Sequence, residues 1–305
     1  MSASSLQPRD ETLLRYLSAT TVMSRQQIAR LLWFDSSEAA ARKRLDKLMN
    51  RYELIANFHV PKAAMEARGL AYRRVYTLTD AGRTWLTGHH ADPGRQVKPR
   101  QVLHDLLVAE ILTRFAEAVR TLGDNHQLDW HSERAASFYL AREDTVPRLM
   151  PDGVAEIYAP AFRRAFFIEV DASREAHVRP TSRIGQKITG YDLFYRLPKR
   201  KPPPLNRLTA FPAVLFITHG EKRLHNLAAS IRKLRRQPVI YGLTLFEDLF
   251  AADDFFSANV WIPVGLDDAA APVSLKTISR LAVAAQKEKS PAQRKPPMPV
   301  VKLPT

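Results

Sequence analysis

Leu149-Met150-Pro151-Asp152-Gly153 and Phe166-Phe167-Ile168-Glu169-Val170-Asp171 are the stretches that decide the fold. A Pro-Asp pair stands just before one strand, and an acid stands inside a second, apolar strand. Side chains alternate along a strand, so Phe167, Glu169 and Asp171 share one face and Phe166, Ile168 and Val170 the other. The second set is expected to bury and the first to open toward a site. A hairpin turning at residues 159–164 would bring Asp152 beside Glu169. Oxygen ligands from two strands suit Mg²⁺ or Mn²⁺, so Asp152, Glu169 and Asp171 are candidate ligands for a hard cation held against a phosphate.

Acids in this layout form the core of metal-dependent nucleases, where the ion activates a water and stabilises the leaving oxygen. Such cores usually carry a lysine two residues after the second acid. Here that position is Asp171. Lys187 is the candidate replacement, because Arg183, Lys187 and Tyr191 recur every fourth residue on the following helix and so face the sheet together. Glu110 is a fourth candidate ligand. It lies within the apolar stripe of Leu103, Leu106 and Leu107, where a carboxylate is costly unless paired or bound to a metal. Pairing with Arg114 one turn later is the competing expectation for Glu110. His104, on the same stripe, is expected to be a hydrogen-bonded core histidine rather than a ligand.

Working outward, residues 10–90 read as three short helices and a β-hairpin. Asp10 to Ala19 forms the first helix. Ser24 caps the second, which runs to Trp33. Asp35, Ser36 or Ser37 caps the third, which runs to about Arg51. The third places Ala41, Leu45, Leu48 and Tyr52 on one face, with Lys43, Arg44, Lys47 and Arg51 beside them. Strands at 54–60 and 73–78 flank a wing. This order predicts a winged helix-turn-helix whose third helix enters the major groove of duplex DNA, with Arg73 and Arg74 on the hairpin adding backbone contacts. Tyr76-Thr77-Leu78-Thr79-Asp80-Ala81-Gly82 resembles the segment after the wing in many bacterial winged-helix regulators.

Residues 91–100 read as a linker. Residues 101–268 alternate strands with helices and predict an α/β sandwich with a mixed sheet. A Pro-rich basic loop at 197–208 and a basic, Pro-rich tail at 286–305 are expected to lie outside the core. The 305 residues carry a net charge of +15, which favours a polyanionic partner. The first hundred hold 17 Lys and Arg against nine Asp and Glu. Cysteine is absent, which excludes disulfides and thiolate sites and fits a cytoplasmic setting. No apolar run approaches the roughly 18 residues of a membrane span.

Leu103-His104-Asp105-Leu106, Leu128-Asp129-Trp130-His131-Ser132-Glu133, Pro151-Asp152-Gly153, Phe167-Ile168-Glu169-Val170-Asp171, Lys187-Ile188-Thr189-Gly190-Tyr191 and Ala213-Val214-Leu215-Phe216-Ile217-Thr218 follow one another in order. Over roughly residues 10–265 the chain resembles the replication-relaxation family of bacterial plasmids and mobile elements. That resemblance implies a second half similar to the PD-(D/E)xK nuclease superfamily, that is, a restriction-endonuclease-like domain. It matches Asp152 and Glu169 to the superfamily's two strand acids and makes Lys187 a migrated lysine.

The expected function is therefore binding of double-stranded DNA in the replication, relaxation or mobilisation of such elements. The alternatives are an active Mg²⁺- or Mn²⁺-dependent endonuclease using Asp152, Glu169 and Lys187, and a winged-helix regulator whose second domain dimerises or senses a ligand. A homodimer on a two-fold DNA site is a further expectation.

Overall fold

The computed structural model describes residues 6–33, 37–61, 63, 66, 74–139, 148–160, 162–172, 182–196, 210–265 and 271–288. Arg73, the Pro-rich loop 197–208 and most of the wing lie outside them, as do the side chain of Arg183 and residues 289–305.

The N-terminal part comprises α1 (Pro8–Thr20), β1 (Met23–Ser24), α2 (Arg25–Leu32), α3 (Glu38–Asn50), β2 (Ile55–His59), β3 (Arg74–Leu78) and α4 (Asp80–Gly88). Its strands form a three-stranded antiparallel sheet in the order β1-β3-β2. Ser24 and Ser37 both cap as expected, each accepting from the backbone N–H three residues on. The bond that starts α4 explains Thr79-Asp80-Ala81-Gly82. Thr79 accepts from the Gly82 N–H at 3.0 Å, and the Leu54 carbonyl comes so near that a Cβ on Gly82 would lie 2.1 Å from its oxygen. Only glycine lets this helix start against the end of the hairpin.

The rest comprises α5 (Val102–Thr121), β4 (Gln127–Ser132), β5 (Phe138–Tyr139), β6 (Arg148–Leu149), β7 (Gly153–Ala159), β8 (Phe162–Asp171), α6 (Arg183–Arg196), β9 (Ala213–Thr218), α7 (Glu221–Leu234), β10 (Tyr241–Leu245), α8 (Phe246–Ala251), β11 (Ile262–Val264) and α9 (Leu275–Glu288). Six strands form one mixed sheet in the order β11-β10-β9-β8-β7-β4. The β8–β9 and β9–β10 pairs are parallel and are joined through α6 and α7; the remaining pairs are antiparallel. This is the mixed α/β sheet expected. The β7–β8 turn is tighter than the expected 159–164, because Ala159 already pairs with Phe162. Helix α9 runs to Glu288, past the boundary at 286 expected for the tail. Its Leu275, Ile278 and Ala282 are buried at helical spacing.

The two faces of β8 sort as alternation requires, with one correction. Phe166, Ile168 and Val170 pack with α5 in one core, and Phe167 packs with α6 and α7 in another. The face expected to open is covered as well. Glu169 is 1% exposed and Asp171 7%. Parallel strands need helices on both sides, so neither face of β8 is left to solvent.

Helix α5 joins the two halves. Leu106, Leu107, Ile111 and Phe115 pack toward the sheet, while Ala109 and Ala116 pack into the N-terminal core. The segment expected as a linker, residues 91–100, is docked: Ser18 Oγ donates to the Asp92 carbonyl at 2.5 Å, Arg95 contacts Asp105, and Val97 packs on the core under α5. Gln27 ties the halves together. Its carboxamide oxygen accepts from the Ser24 N–H at 2.9 Å, completing the cap of α2. Its amide nitrogen donates to the Leu106 carbonyl at 3.0 Å and to Glu110 Oε2 at 3.1 Å. Among the described residues no helix is long and apolar enough to cross a membrane.

Candidate functional site

Asp152 sits where β7 begins, and its backbone N–H donates to the Ile168 carbonyl at 2.9 Å. That bond extends the β7–β8 ladder and aims the carboxylate across β8. Oδ2 accepts from the Val170 N–H at 2.7 Å and lies 3.3 Å from His104 Nε2. Oδ1 accepts from Lys187 Nζ at 3.3 Å. Lys187 also contacts Glu169 Oε2 directly, and the Tyr191 hydroxyl donates to Glu169 Oε1 at 2.6 Å. Lys187 and Tyr191 are one turn apart on α6, so a single helix face delivers both groups to the same carboxylate. Asp152, Glu169 and Lys187 thus converge.

The other two acids do not join them. Asp171 is bound by Arg223 of α7, whose Nε donates to Oδ2 at 2.5 Å, with Thr218 Oγ1 at 3.4 Å from the same oxygen. The acid at this position is therefore matched by a buried arginine on the covering helix. Glu110 lies where α5 meets α2 and is held by Arg30 at 2.8 Å, Gln27 and Arg114 at 3.3 Å. Arg30 bridges onward to Glu117 at 2.6 Å. The expected pairing of Glu110 with Arg114 is present, but the carboxylate chiefly docks the two halves. Its oxygens face Arg30, Gln27 and Arg114 and not the cluster of Asp152, Glu169 and Lys187.

Burial sets the proton affinities. For His104 desolvation works against the charged form, but the carboxylates of Asp152 and Asp105 outweigh it and lift the imidazole to about 10. For Asp152 burial would raise the carboxyl, yet the ammonium of Lys187 and the imidazolium of His104 hold it well below the usual carboxylate range. Burial pushes Glu169 up to about 7, with Lys187 opposing and the Asp152 charge assisting. Burial also raises the Tyr191 phenol well above its ordinary value, keeping it a donor to Glu169.

These shifts have a sign in stability. Asp152 contributes stability that is lost as pH falls below the usual carboxylate range. Glu169 holds its proton more tightly folded than unfolded, so it weakens the fold as pH rises from 4.5 through about 7. His104 contributes stability that is complete below 6.5 and lost as pH rises through about 10. The urea midpoint is expected to decline from weakly acidic to alkaline pH, and His104→Gln should flatten the part of that decline above pH 6.5. An unchanged alkaline limb in His104→Gln would remove His104 as its source.

The sequence points to Mg²⁺ or Mn²⁺ as a candidate cation here. Mg²⁺ takes one or two carboxylates and keeps several waters. All four oxygens of Asp152 and Glu169 already face protein donors or His104, and Lys187 supplies the positive charge between them. Among the described residues no group of three or more His, Asp or Glu side chains could hold a metal ion. As arranged, the side chains do not form a cation shell.

The candidate nucleic-acid residues divide. On α3, Ala41, Leu45 and Leu48 are buried, while Lys43 and the neighbouring Arg42 are exposed and Lys47 is half-buried. Arg51 and Arg74 are exposed. The cations of Lys47 and Arg51 lie 5.7 and 5.6 Å from the centre of the Tyr52 ring. Arg44 is different. Its guanidinium pairs with Asp10 of α1, which is fully buried, with Nε donating to Oδ1 at 2.8 Å.

The model of the replication-relaxation family matches residues 14–205. The chain belongs to the replication-relaxation family. The matched stretch contains His104, Asp152, Glu169, Lys187 and Tyr191. Arg223, together with β9 to β11, lies beyond it. No curated protein matches. Among solved structures, the restriction endonuclease FokI aligns at 11% identity and a TM-score of 0.23, over 82% of this chain and 44% of that one. A likeness at that score carries no weight on the family member's fold or chemistry.

Arg223 and Tyr191's bond to Glu169 were not legible in the sequence. Tyr191 was visible as a neighbour of Lys187, but nothing local marks which acid it meets. Arg223 is a basic residue in the first turn of an amphipathic helix, a position that is more often solvated.

Proposed function

We propose that this replication-relaxation protein binds double-stranded DNA and acts in the replication or relaxation of a plasmid or mobile element. The N-terminal part is read as a winged helix whose α3 lies in the major groove. The observation that carries this reading is the basic edge of α3: Arg42, Lys43, Lys47 and Arg51 flank the side opposite Ala41, Leu45 and Leu48. Family membership and the net charge of +15 support it. Each phosphate contact releases about one counterion, so log K should fall with log salt by about 0.9 per contact. Lys43→Ala/Lys47→Ala/Arg51→Ala is expected to weaken duplex binding and to flatten that slope by about two to three units, with folding unchanged. Equal affinity and equal slope in the triple variant would refute the α3 assignment.

Cleavage is the second reading, favoured by the convergence of Lys187 with Asp152 and Glu169. It requires Lys187 to yield its place between the acids. Nicking of supercoiled plasmid with Mg²⁺ or Mn²⁺, lost in Asp152→Ala, would establish it; no nicking with either ion, or equal nicking by the variant, rejects it.

A further inference from the structure

On the α5 side of the sheet, the face of β8 opposite Glu169, a cavity of about 360 Å³ opens beside α9. Its floor is apolar: Ile157 of β7, Phe166 of β8, Phe256 after α8 and Leu275 of α9. Its polar lining is cationic, from Arg164, Lys276 and Arg280, with His126 and Ser279 beside them and no carboxylate among the lining residues. Lys276 Nζ is held by a neutral partner, Ser257 Oγ at 3.0 Å, and also feels the charge of Asp254.

Arg164 is the informative residue. Alternation puts it on the same face of β8 as Phe166, Ile168 and Val170, the face that packs on α5. An arginine within an otherwise apolar row is half-buried here and lines the cavity. Its Nη1 donates to the Arg163 carbonyl at 3.1 Å. A pocket with an apolar floor and a few convergent polar groups is the usual form of a small-molecule site, and this volume is at the small end of the range of roughly 300–1,000 Å³.

We infer that this cavity binds a small organic anion, with an apolar body on Phe166 and Phe256 and an acidic head at Arg164 and Arg280. The volume suits a monomeric ligand rather than a polymer, so the site is separate from the DNA surface proposed for α3. The chain's own residues 289–305 are a poor occupant. They carry Lys289, Arg294, Lys295 and Lys302 with no acid, and would meet a rim of like charge.

The test is a fluorescence titration of the full chain with 1-anilinonaphthalene-8-sulfonate, an apolar ring system bearing one anionic head. One saturable site is expected. Its affinity should fall at least about tenfold in Arg280→Glu, an exposed position where the fold should tolerate the change, and also in Ser279→Trp, which fills the cavity. Both variants are checked for an unchanged urea midpoint, so that loss of binding is not loss of structure. Competitors then separate the sources. Displacement by dAMP assigns a nucleotide, and displacement by decanoate assigns an aliphatic carboxylate. No saturable binding, binding indifferent to both variants, or displacement by neither competitor overturns the inference. None of these readings depends on DNA binding, so failure here leaves the α3 assignment standing, and the reverse.

Discussion

Lys187→Ala is expected to destabilise the protein by about 3–5 kcal/mol, the typical cost of stripping one partner from a buried ion pair. The size follows from what stays behind. The side chains of Asp152 and Glu169 are 3% and 2% exposed, and both lose the ammonium that lies between them. His104 and the Val170 N–H still face Asp152, and Tyr191 still donates to Glu169, so the acids keep hydrogen bonds but lose their closest charge. Urea denaturation should show a lower midpoint with an unchanged m-value. Lys187→Met/Glu169→Gln should recover part of the loss, because it removes one buried carboxylate along with the lysine and leaves the remaining charge pairing to His104 and Asp152. A loss below about 1 kcal/mol, near the median of solvent-exposed ion pairs, would show that Lys187 is not the counter-charge. A lysine retained for cleavage alone would give a different pattern, with nicking abolished and stability nearly unchanged.

Arg44→Ala should lower DNA binding for a reason unlike that of its neighbours. From the sequence, Arg44 is one of the cluster Lys43, Arg44, Lys47 and Arg51 beside the apolar face of the third helix. In the fold it is the partner of Asp10, which is fully buried and also accepts from the Gln7 N–H at the start of α1. Truncation leaves that carboxylate without its cation and is expected to cost about 3–5 kcal/mol. Helices α1 and α3 should loosen together, and duplex binding should fall with the folded fraction rather than with the salt slope. Lys43→Ala and Lys47→Ala should show the opposite: weaker binding, a flatter salt dependence, and a stability within about 0.5 kcal/mol of the parent, as surface substitutions usually do. A fully stable Arg44→Ala protein would contradict the pairing with Asp10.

Much of the architecture could be read locally. The alternation in Phe166 to Asp171 correctly separated the α5 face from the α6/α7 face. Ser24 announced its helix because a hydroxyl followed three residues later by Gln27 satisfies two orphan N–H groups at once. Pro263 fits the edge strand β11, where a missing N–H costs least. The short strand β1 and the helices α8 and α9 were not foreseen. Two residues of strand carry no period, and α9 follows a segment rich in Asp, Ala and Pro in which Ser274, whose hydroxyl accepts from the Thr277 N–H at 3.2 Å, is the local start signal.

The site was legible as residue types but not as pairings. The sequence by itself determined that three carboxylates would lie at neighbouring strand ends, that Lys187 and Tyr191 would share a helix face, and that α3 would carry a basic edge. These are consequences of backbone period and apply to any chain with those residues in helix and strand. Only the tertiary structure decided that Lys187 takes Asp152 and Glu169, that Arg223 takes Asp171, that Arg30 takes Glu110 and that Arg44 takes Asp10. The physical reason is that burying a carboxylate is so costly that it must be paired. The cation that pairs it is the one that helix packing brings within reach, and no local period records that choice.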